Sequence, residues 1–232
     1  MRLLALDTAT ENCSAALLIE GRILQCEELI GRGHAERILP MIHGLLSDAD
    51  LKLPDLDAIA FGRGPGAFTG VRLAASVTQG LAYASGLKVV PVSDLQAVAQ
   101  RALAFEPAPA RVLVCADARM SEVYWGCFER GTEGLATPAS PEAVGAPESV
   151  SIPVRWTAER TFGAGTGFGA YPALIAQFES KLDGVYPGLL PRASEIATLA
   201  LEAAAAGRLL DPEQALPVYL RDDVARPPGA GH

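Results

Sequence analysis

Two stretches of the chain repeat one pattern at a constant spacing, and this duplication limits the possible folds more than any other feature. LLALDTATENCSAALLIEG occupies 3–21, and LVCADARMSEVYWGCFERG occupies 113–131. In each copy an apolar strand ends in Asp, a polar turn follows, and a second strand ends at Gly; Asp117 follows Asp7 by 110 positions. The pattern predicts two β-hairpins, and hence an α/β protein of two related lobes, each with a mixed sheet.

The boundary between the lobes is predicted at FEPAPAR (105–111), where two prolines interrupt a helical pattern. We therefore expect lobes at 1–106 and 107–221 and a loose C-terminal tail at 222–232. A final helix near 194–206 is expected to pack back across the hinge.

Composition argues against several classes of function, including unaided nucleic-acid binding and membrane association. The chain has 232 residues, 50% hydrophobic and 20% charged, which is enough for one large core or two small ones. A net charge of −8 and scattered Lys and Arg argue against unaided nucleic-acid binding. The four cysteines show no C-x-x-C pair, and no apolar run approaches a membrane span or a signal peptide. We expect a cytoplasmic protein with reduced thiols and no membrane association.

The loop GRGPGAFTGVR (62–72) follows an apolar strand and precedes a helix, where α/β proteins often bind anions. It lacks the Gly-Lys-Ser/Thr of a phosphate-binding P-loop. A dinucleotide site would need an acid about 20 residues further on, and residues 58–93 contain no Asp or Glu. A tight turn is the favoured interpretation, and a phosphate site is the alternative.

Other candidate chemistry is sparse. Asp7 and Asp117 could hold Mg²⁺ with ATP across a cleft, or each could cap its own turn. Gly163 and Gly165 belong to a glycine-rich run that fits a ligand loop or a surface turn. The three histidines lack the spacing of helical zinc ligands, and no G-x-S-x-G elbow is present. We therefore predict neither a catalytic group nor a metal site.

Two helices are predicted at 34–50 and 69–85. The first carries apolar residues on one face, including Ile38, Ile42 and Leu45, and the second carries many small residues. The pattern fits packing on their own sheet and partner binding equally well.

A set of motifs resembles the TsaB family, also called YeaZ. These are LLALDTATENCSAAL, HAERILPMI, GRGPGAFTGVRLA, SDLQAVA, DARMSEVYWG and PVYLR. Each is weak alone, but the combination is specific and runs from about residue 1 to about residue 221. The resemblance implies two RNase H-like lobes of the actin-like ATPase (ASKHA) fold.

The resemblance also implies a function. Family members are non-catalytic subunits of the machinery that places a threonylcarbamoyl group on the adenosine beside the anticodon of ANN-decoding tRNAs. The paralogue TsaD performs the transfer, the ATPase TsaE joins the assembly, and a separate enzyme makes threonylcarbamoyl-adenylate. The implied subunit needs no cofactor of its own, because ATP, Mg²⁺ and the metal belong to partners. It forms a heterodimer with TsaD, self-associates as a homodimer when alone, and meets tRNA only through the complex.

Site residues follow from the resemblance, position by position. The implied partner interface comprises His34, Ile38, Leu39, Ile42, Leu45, Thr69, Arg72, Leu73, Ser76, Val77, Gly80 and Leu81. The implied degenerate nucleotide cleft comprises Asp7, Thr8, Thr10, Asp117, Gly163 and Gly165.

Two departures from active relatives weaken any catalytic assignment. The H-x-x-x-H of TsaD is absent, and Ala9 stands where active actin-like kinases have glycine in the phosphate turn. Two other hypotheses remain: a small-molecule kinase or ATPase of the same fold, and a metallopeptidase, against which the lack of paired metal ligands argues.

Overall fold

The computed structural model describes residues 1–106, 110–131, 133–156 and 160–221. Its first sheet has five strands in the order β3-β2-β1-β4-β5. The strands are β1 Arg2–Asp7, β2 Asn12–Ile19, β3 Arg22–Leu29, β4 Ala58–Gly62 and β5 Lys88–Val92. The first three are antiparallel neighbours, whereas β4 and β5 run parallel to β1.

The second sheet repeats this plan. It consists of β6 Arg111–Arg119, β7 Glu122–Arg130, β8 Ala136–Pro138, β9 Ala143–Gly145, β10 Thr161–Ala164 and β11 Gly184–Tyr186. The order is β11-β10-β6-β7-β8, with β9 also paired to β7. An antiparallel hairpin again stands beside parallel strands. The predicted fold class and the duplicated hairpin are therefore confirmed.

Six helices connect the strands within the described residues. They are α1 His34–Asp48, α2 Phe68–Ser85, α3 Asp94–Leu103, α4 Gly167–Ala170, α5 Pro172–Phe178 and α6 Ala193–Ala205. Gly86 follows α2 and caps it in the left-handed conformation, as glycine commonly does at a helix C-terminus. None of these helices has the length and apolarity needed to cross a bilayer.

One apolar core joins the two sheets. It contains Leu3 and Ala5 of β1, Val112 of β6, and inward residues of α3 and α6 such as Leu95 and Ile196. As expected, α6 packs back onto the first sheet, where Ser14 Oγ accepts a hydrogen bond from the amide of Ala193 (3.0 Å). The two lobes therefore share a buried interface. Residues 107–109 of the predicted boundary and the predicted tail at 222–232 lie outside the described residues.

The opposite face of the first sheet is covered by α1 and α2. Ile38, Ile42 and Leu45 of α1 are buried in a second core with Leu4 and Phe61 of the sheet. This corrects the expectation that these three residues form an exposed partner stripe. The apolar face of an amphipathic helix packs on its own sheet first, because burying it removes the most apolar surface from water.

Candidate functional site

A cleft of about 1140 Å³ lies between the lobes. The first lobe lines it with the β1–β2 turn, the segment 31–36 and the glycine loop. The second lobe contributes residues 116–120 at the end of β6, and the C-terminal segment 218–221 closes one side. The turns at the ends of both duplicated hairpins therefore face one space.

Asp7 ends β1 but does not reach the cleft. Its side chain is fully buried, and Oδ1 accepts a hydrogen bond from the amide of Ala9 (2.8 Å). Thr8 is held as well, because its hydroxyl donates to the carbonyl oxygen of Gly70 in the first turn of α2 (2.7 Å). The β1–β2 turn is thus tied to the protein on both sides.

The glycine loop packs directly on this turn. The amide of Ala67 donates to the carbonyl oxygen of Ala9 (2.8 Å). A Cβ added at Gly66 would lie 2.6 Å from that oxygen, and one at Gly70 would lie 2.0 Å from the carbonyl oxygen of Thr8. Glycine is needed at these positions because any side chain would overlap the backbone of the turn. The geometry agrees with the favoured interpretation of a turn.

A second carboxyl group lies beside Asp7 and escaped the sequence interpretation. Asp94 begins α3, directly after Ser93, whose hydroxyl caps the helix by accepting from the amide of Gln96 (3.1 Å). Burial raises the pKa of Asp7 to about 6 and raises the pKa of Asp94 well above its usual value. SDLQAVA was noted in the sequence for its resemblance, and nothing local in that motif indicates that the carboxylate of Asp94 points into the core.

Asp117 is the counterpart of Asp7 in the second lobe, and it does line the cleft. Its Oδ1 accepts hydrogen bonds from the amide of Arg119 (2.8 Å) and from the hydroxyl of Tyr171 (3.0 Å). The guanidinium of Arg119 forms an ion pair with Oδ2 at 3.0 Å. Asp117 is therefore compensated by a cation and by the phenol, unlike Asp7.

The second glycine-rich run is a packing element too. A Cβ at Gly163 would lie 2.8 Å from the ring of Phe168, and one at Gly165 would lie 2.5 Å from the carbonyl oxygen of Cys115. Both glycines are buried, and neither lines the cleft. This corrects the expectation that Asp7, Gly163 and Gly165 belong to the cleft surface. Of the predicted cleft residues, Thr8, Thr10 and Asp117 do line it.

The outer face of α2 is open to solvent. Thr69, Arg72, Ser76 and Gly80 are exposed along it, and Tyr83, which the sequence interpretation missed, has 75% of its surface exposed. The remaining α2 positions predicted for the interface, Leu73, Val77 and Leu81, are half-buried. On α1, Leu39 is 49% exposed, and His34 bonds through Nε2 to the carbonyl oxygen of Thr10 (2.8 Å). The role of this face as a partner interface stays a prediction.

The C-terminal segment links the two hairpins. The amide of Val218 donates to the carbonyl oxygen of Arg63 in the glycine loop (2.7 Å). The ring of Tyr219 lies 5.9 Å from that of Phe68, and the Arg72 guanidinium stacks on Phe68 at 3.3 Å. Arg221 bonds to Glu122 and to the carbonyl oxygen of Ala118 at the second hairpin. PVYLR was noted in the sequence only for its resemblance, because its partners are distant in the chain.

Within the part of the chain that the structure describes, no group of three or more His, Cys, Asp or Glu side chains is placed to hold a metal ion.

Known proteins share both the sequence and the fold. The family model TsaD, tRNA N6-adenosine threonylcarbamoyltransferase, matches residues 27–213. The tRNA threonylcarbamoyladenosine biosynthesis protein TsaB of Escherichia coli is 42% identical over 97% of this chain and 96% of its own length. The protein of the same name from Haemophilus influenzae is 38% identical over 97% and 95%.

Solved structures give the same answer. YeaZ from Pseudomonas aeruginosa superposes with a TM-score of 0.84 at 48% identity, covering 94% of this chain and 99% of that one. A second crystal structure, of a protein with similarity to peptidase YeaZ from the same organism, gives a TM-score of 0.85 at 49% identity, covering 95% and 99%. On sequence and structure together, the chain belongs to the TsaB family, also called YeaZ.

Proposed function

We propose that this chain is a non-catalytic subunit of the tRNA threonylcarbamoyladenosine-modifying complex. It binds a TsaD-type transferase and activates it for threonylcarbamoyl transfer to the adenosine beside the anticodon of ANN-decoding tRNAs. The ATPase TsaE joins the assembly, and tRNA is bound through the complex. The subunit works in the cytoplasm, carries no ATP, Mg²⁺ or metal of its own, and forms a homodimer when alone.

The observation that carries this proposal is the packing of the glycine loop on the β1–β2 turn. A phosphate-binding turn needs free backbone amides, whereas here the amide of Ala67 is bonded to Ala9, and Gly66 and Gly70 lie against the turn. The buried Asp7 has no access to a nucleotide in the cleft. These features support a binding role for a chain whose relatives are named for tRNA modification.

Charge and exposure support the choice of partner. A net charge of −8 disfavours direct binding to the tRNA backbone. The outer face of α2 offers Gly80, which has no side chain, and Ser76, whose side chain is small, so another helix can approach closely. A partner that is related in fold can present the same helix, so one face can serve both self-association and heterodimer formation.

The proposed role is tested by reconstitution with subunits omitted in turn. Purified chain, a TsaD homologue, a TsaE homologue, tRNA and threonylcarbamoyl-adenylate are combined, and modified adenosine is quantified by mass spectrometry. Modification should require this chain together with TsaD, and the chain alone should modify nothing. Modification by the chain alone would contradict the proposal.

The proposed interface is tested by a charge on the α2 face. Ser76→Glu places an unpaired carboxylate at an exposed position, whereas Val77 packs partly against the core and would confuse folding with binding. Burying that charge in an interface should weaken association at least tenfold, in line with a cost of about 2 kcal/mol or more. The matched control is Ser180→Glu, also exposed but far from α2 in the chain. Light scattering measures the homodimer, and pull-down with TsaD measures the heterodimer. Normal pairing by a folded Ser76→Glu variant in both assays would place the interface elsewhere.

The alternative, a small-molecule kinase or ATPase, draws on the cleft volume of about 1140 Å³ and on Asp117 at its surface. It requires magnesium-dependent ATP turnover by the isolated chain, lost in both Asp7→Asn and Asp117→Asn. Absence of turnover at saturating ATP would remove this alternative.

A further inference from the structure

Two buried carboxyl groups meet behind the glycine loop. Asp7 at the end of β1 is 0% exposed, and Asp94 at the start of α3 is 2% exposed. A Cβ added at Gly62 would lie 2.7 Å from Asp7 Oδ1 and 2.4 Å from Asp94 Oδ1. The two carboxyl groups therefore converge on one point, and each influences the pKa of the other.

On each of the two side chains, one carboxyl oxygen accepts a hydrogen bond and the other has no donor among the described residues. Asp7 Oδ1 accepts from the amide of Ala9 at 2.8 Å, and Asp94 Oδ2 accepts from the amide of Gly64 at 2.5 Å. The remaining oxygens, Asp7 Oδ2 and Asp94 Oδ1, are buried without a donor among the described residues. A buried carboxylate oxygen without a donor is costly, and a proton between two such oxygens removes that cost for both.

No Lys or Arg side chain in the described part of the chain is paired with the carboxyl group of either Asp7 or Asp94. The titratable and charged groups around the pair are His34 of α1, Cys13 of β2, Glu142 of the segment before β9, and Arg63 of the glycine loop. Arg63 is paired with Glu142 at 3.4 Å, so within the described ranges His34 is the cationic candidate that acts on Asp7.

We propose that the carboxyl groups of Asp7 and Asp94 share one proton, and that this proton locks the glycine loop onto the β1–β2 turn. Two adjoining ionised carboxylates would repel each other strongly in this buried setting. Asp94 holds the loop twice, because its amide also donates to the carbonyl oxygen of Gly64 (3.1 Å). Asp7 holds the turn through Ala9, whose carbonyl accepts from Ala67. Loss of the proton therefore loosens the loop and the first turn of α2.

The sign of the pH dependence follows from proton counting. Burial raises the pKa of Asp7 from 3.8 to about 6 and the pKa of Asp94 well above 3.8. Above about pH 4 the folded chain therefore holds at least one proton that the unfolded chain releases. For one such proton, the folding equilibrium constant falls about tenfold for each unit of rising pH, until the pair itself ionises.

The test compares Asp94→Asn with wild type and with Asp117→Asn, the same change at the solvated counterpart. Asparagine at 94 can accept from Gly64 while its amide donates permanently to Asp7, so the lock no longer depends on a proton. Urea unfolding from pH 5 to pH 8 should show a falling stability in wild type and in Asp117→Asn, and a clearly flatter profile in Asp94→Asn. Hydrogen exchange of the amides of Gly64 and Ala67 should report loosening at high pH in wild type and in Asp117→Asn but not in Asp94→Asn, after correction for the intrinsic rate.

A wild-type profile without a decline, or an equal decline in Asp94→Asn, would overturn the proposal. If Asp94→Asn does not fold, Asp7→Asn makes the reciprocal substitution. The carboxyl carbon shifts of the wild-type protein decide independently of any variant: both aspartates titrating near pH 4 would also overturn the proposal.

Discussion

The two hairpin turns began from the same pattern and are built alike, but their acids are in opposite environments. The amide of Ala9 bonds to Asp7 at 2.8 Å, and the amide of Arg119 bonds to Asp117 at 2.8 Å. Asp7 is fully buried beside another carboxyl group, whereas the side chain of Asp117 is 17% exposed and pairs with Arg119. The two copies of the turn therefore share the same local hydrogen bond. The elements packed on each turn determine whether its aspartate is buried or exposed to the cleft.

The difference arises from the segment that follows the parallel neighbour of the first hairpin strand in each lobe. This segment follows β4 in the first lobe and β10 in the second. In the first lobe, the glycine loop and the start of α2 lie directly on the turn, with Gly70 against Thr8. In the second lobe, the glycine run contacts the backbone of Cys115 behind the turn and leaves Asp117 open to the cleft. The acid of the first turn is thus enclosed in the interior, although neighbouring residues of that turn line the cleft, whereas the acid of the second turn lies at the cleft surface.

The largest effect is expected from Gly70→Ala, which forces a methyl group to within 2.0 Å of the Thr8 carbonyl oxygen. Backbone on both sides must move, so we expect a loss of about 3 kcal/mol in the free energy of unfolding, measured by urea denaturation. The matched control is Gly80→Ala on the same helix, where nothing lies within 4 Å. There alanine should stabilise the protein by about 0.5–1 kcal/mol through helix propensity.

The second lobe has a glycine that packs behind its own hairpin turn. Gly167→Ala places its methyl group 2.9 Å from the Cys115 carbonyl oxygen, a milder overlap than at Gly70. We expect a loss of about 1–2 kcal/mol in the same urea measurement. A cost equal to that of Gly70→Ala would show that the two turns are packed equally tightly, and the contrast between the lobes would fail.

Regular elements were predictable from the sequence because their signals are local. The 110-residue offset placed both hairpins, the helix predicted at 69–85 ends where α2 ends, and the final helix was predicted within one residue of Ala193–Ala205. Each of these signals depends on residues that are close in the chain.

The site was less predictable because burial depends on distant segments. An apolar stripe on α1 fits both a core and an interface, and only the packing of Ile38 on the sheet decides between them. Asp94 lies 87 positions after Asp7 in the sequence, and no periodicity connects them. A glycine-rich sequence likewise does not show whether the loop contacts a ligand or packs on the backbone of another segment of the same protein.

Arg221→Ala tests the segment that connects the two turns, and its effect should be intermediate. Arg221 reaches from the C-terminal segment to Glu122 and to the Ala118 carbonyl oxygen, with its side chain only 20% exposed. Losing these charge-assisted hydrogen bonds should cost about 1–2 kcal/mol in the free energy of unfolding.

A double-mutant cycle with Glu122→Ala separates the ion pair from the bond to Ala118. Additive effects in that cycle would show that the Arg221–Glu122 ion pair contributes no interaction energy and that the carbonyl contact dominates. If Arg221→Ala left stability unchanged, the C-terminal segment would not hold the turns together.

The smallest effect is expected from Arg119→Ala. The side chain of Arg119 is 84% exposed, so its ion pair with Asp117 is screened by water and should contribute at most about 0.5 kcal/mol to the free energy of unfolding. Asp117 keeps its bonds to the amide at 119 and to Tyr171 after the substitution. At 1 M salt the Debye length falls to about 3 Å, so even this small difference between wild type and variant should shrink in urea denaturation. A loss above about 1.5 kcal/mol that persists in salt would mean that Asp117 depends on a cation as a buried carboxylate does. The two turns would then differ only in how the charge of each aspartate is balanced, and no longer in whether water reaches its carboxyl group.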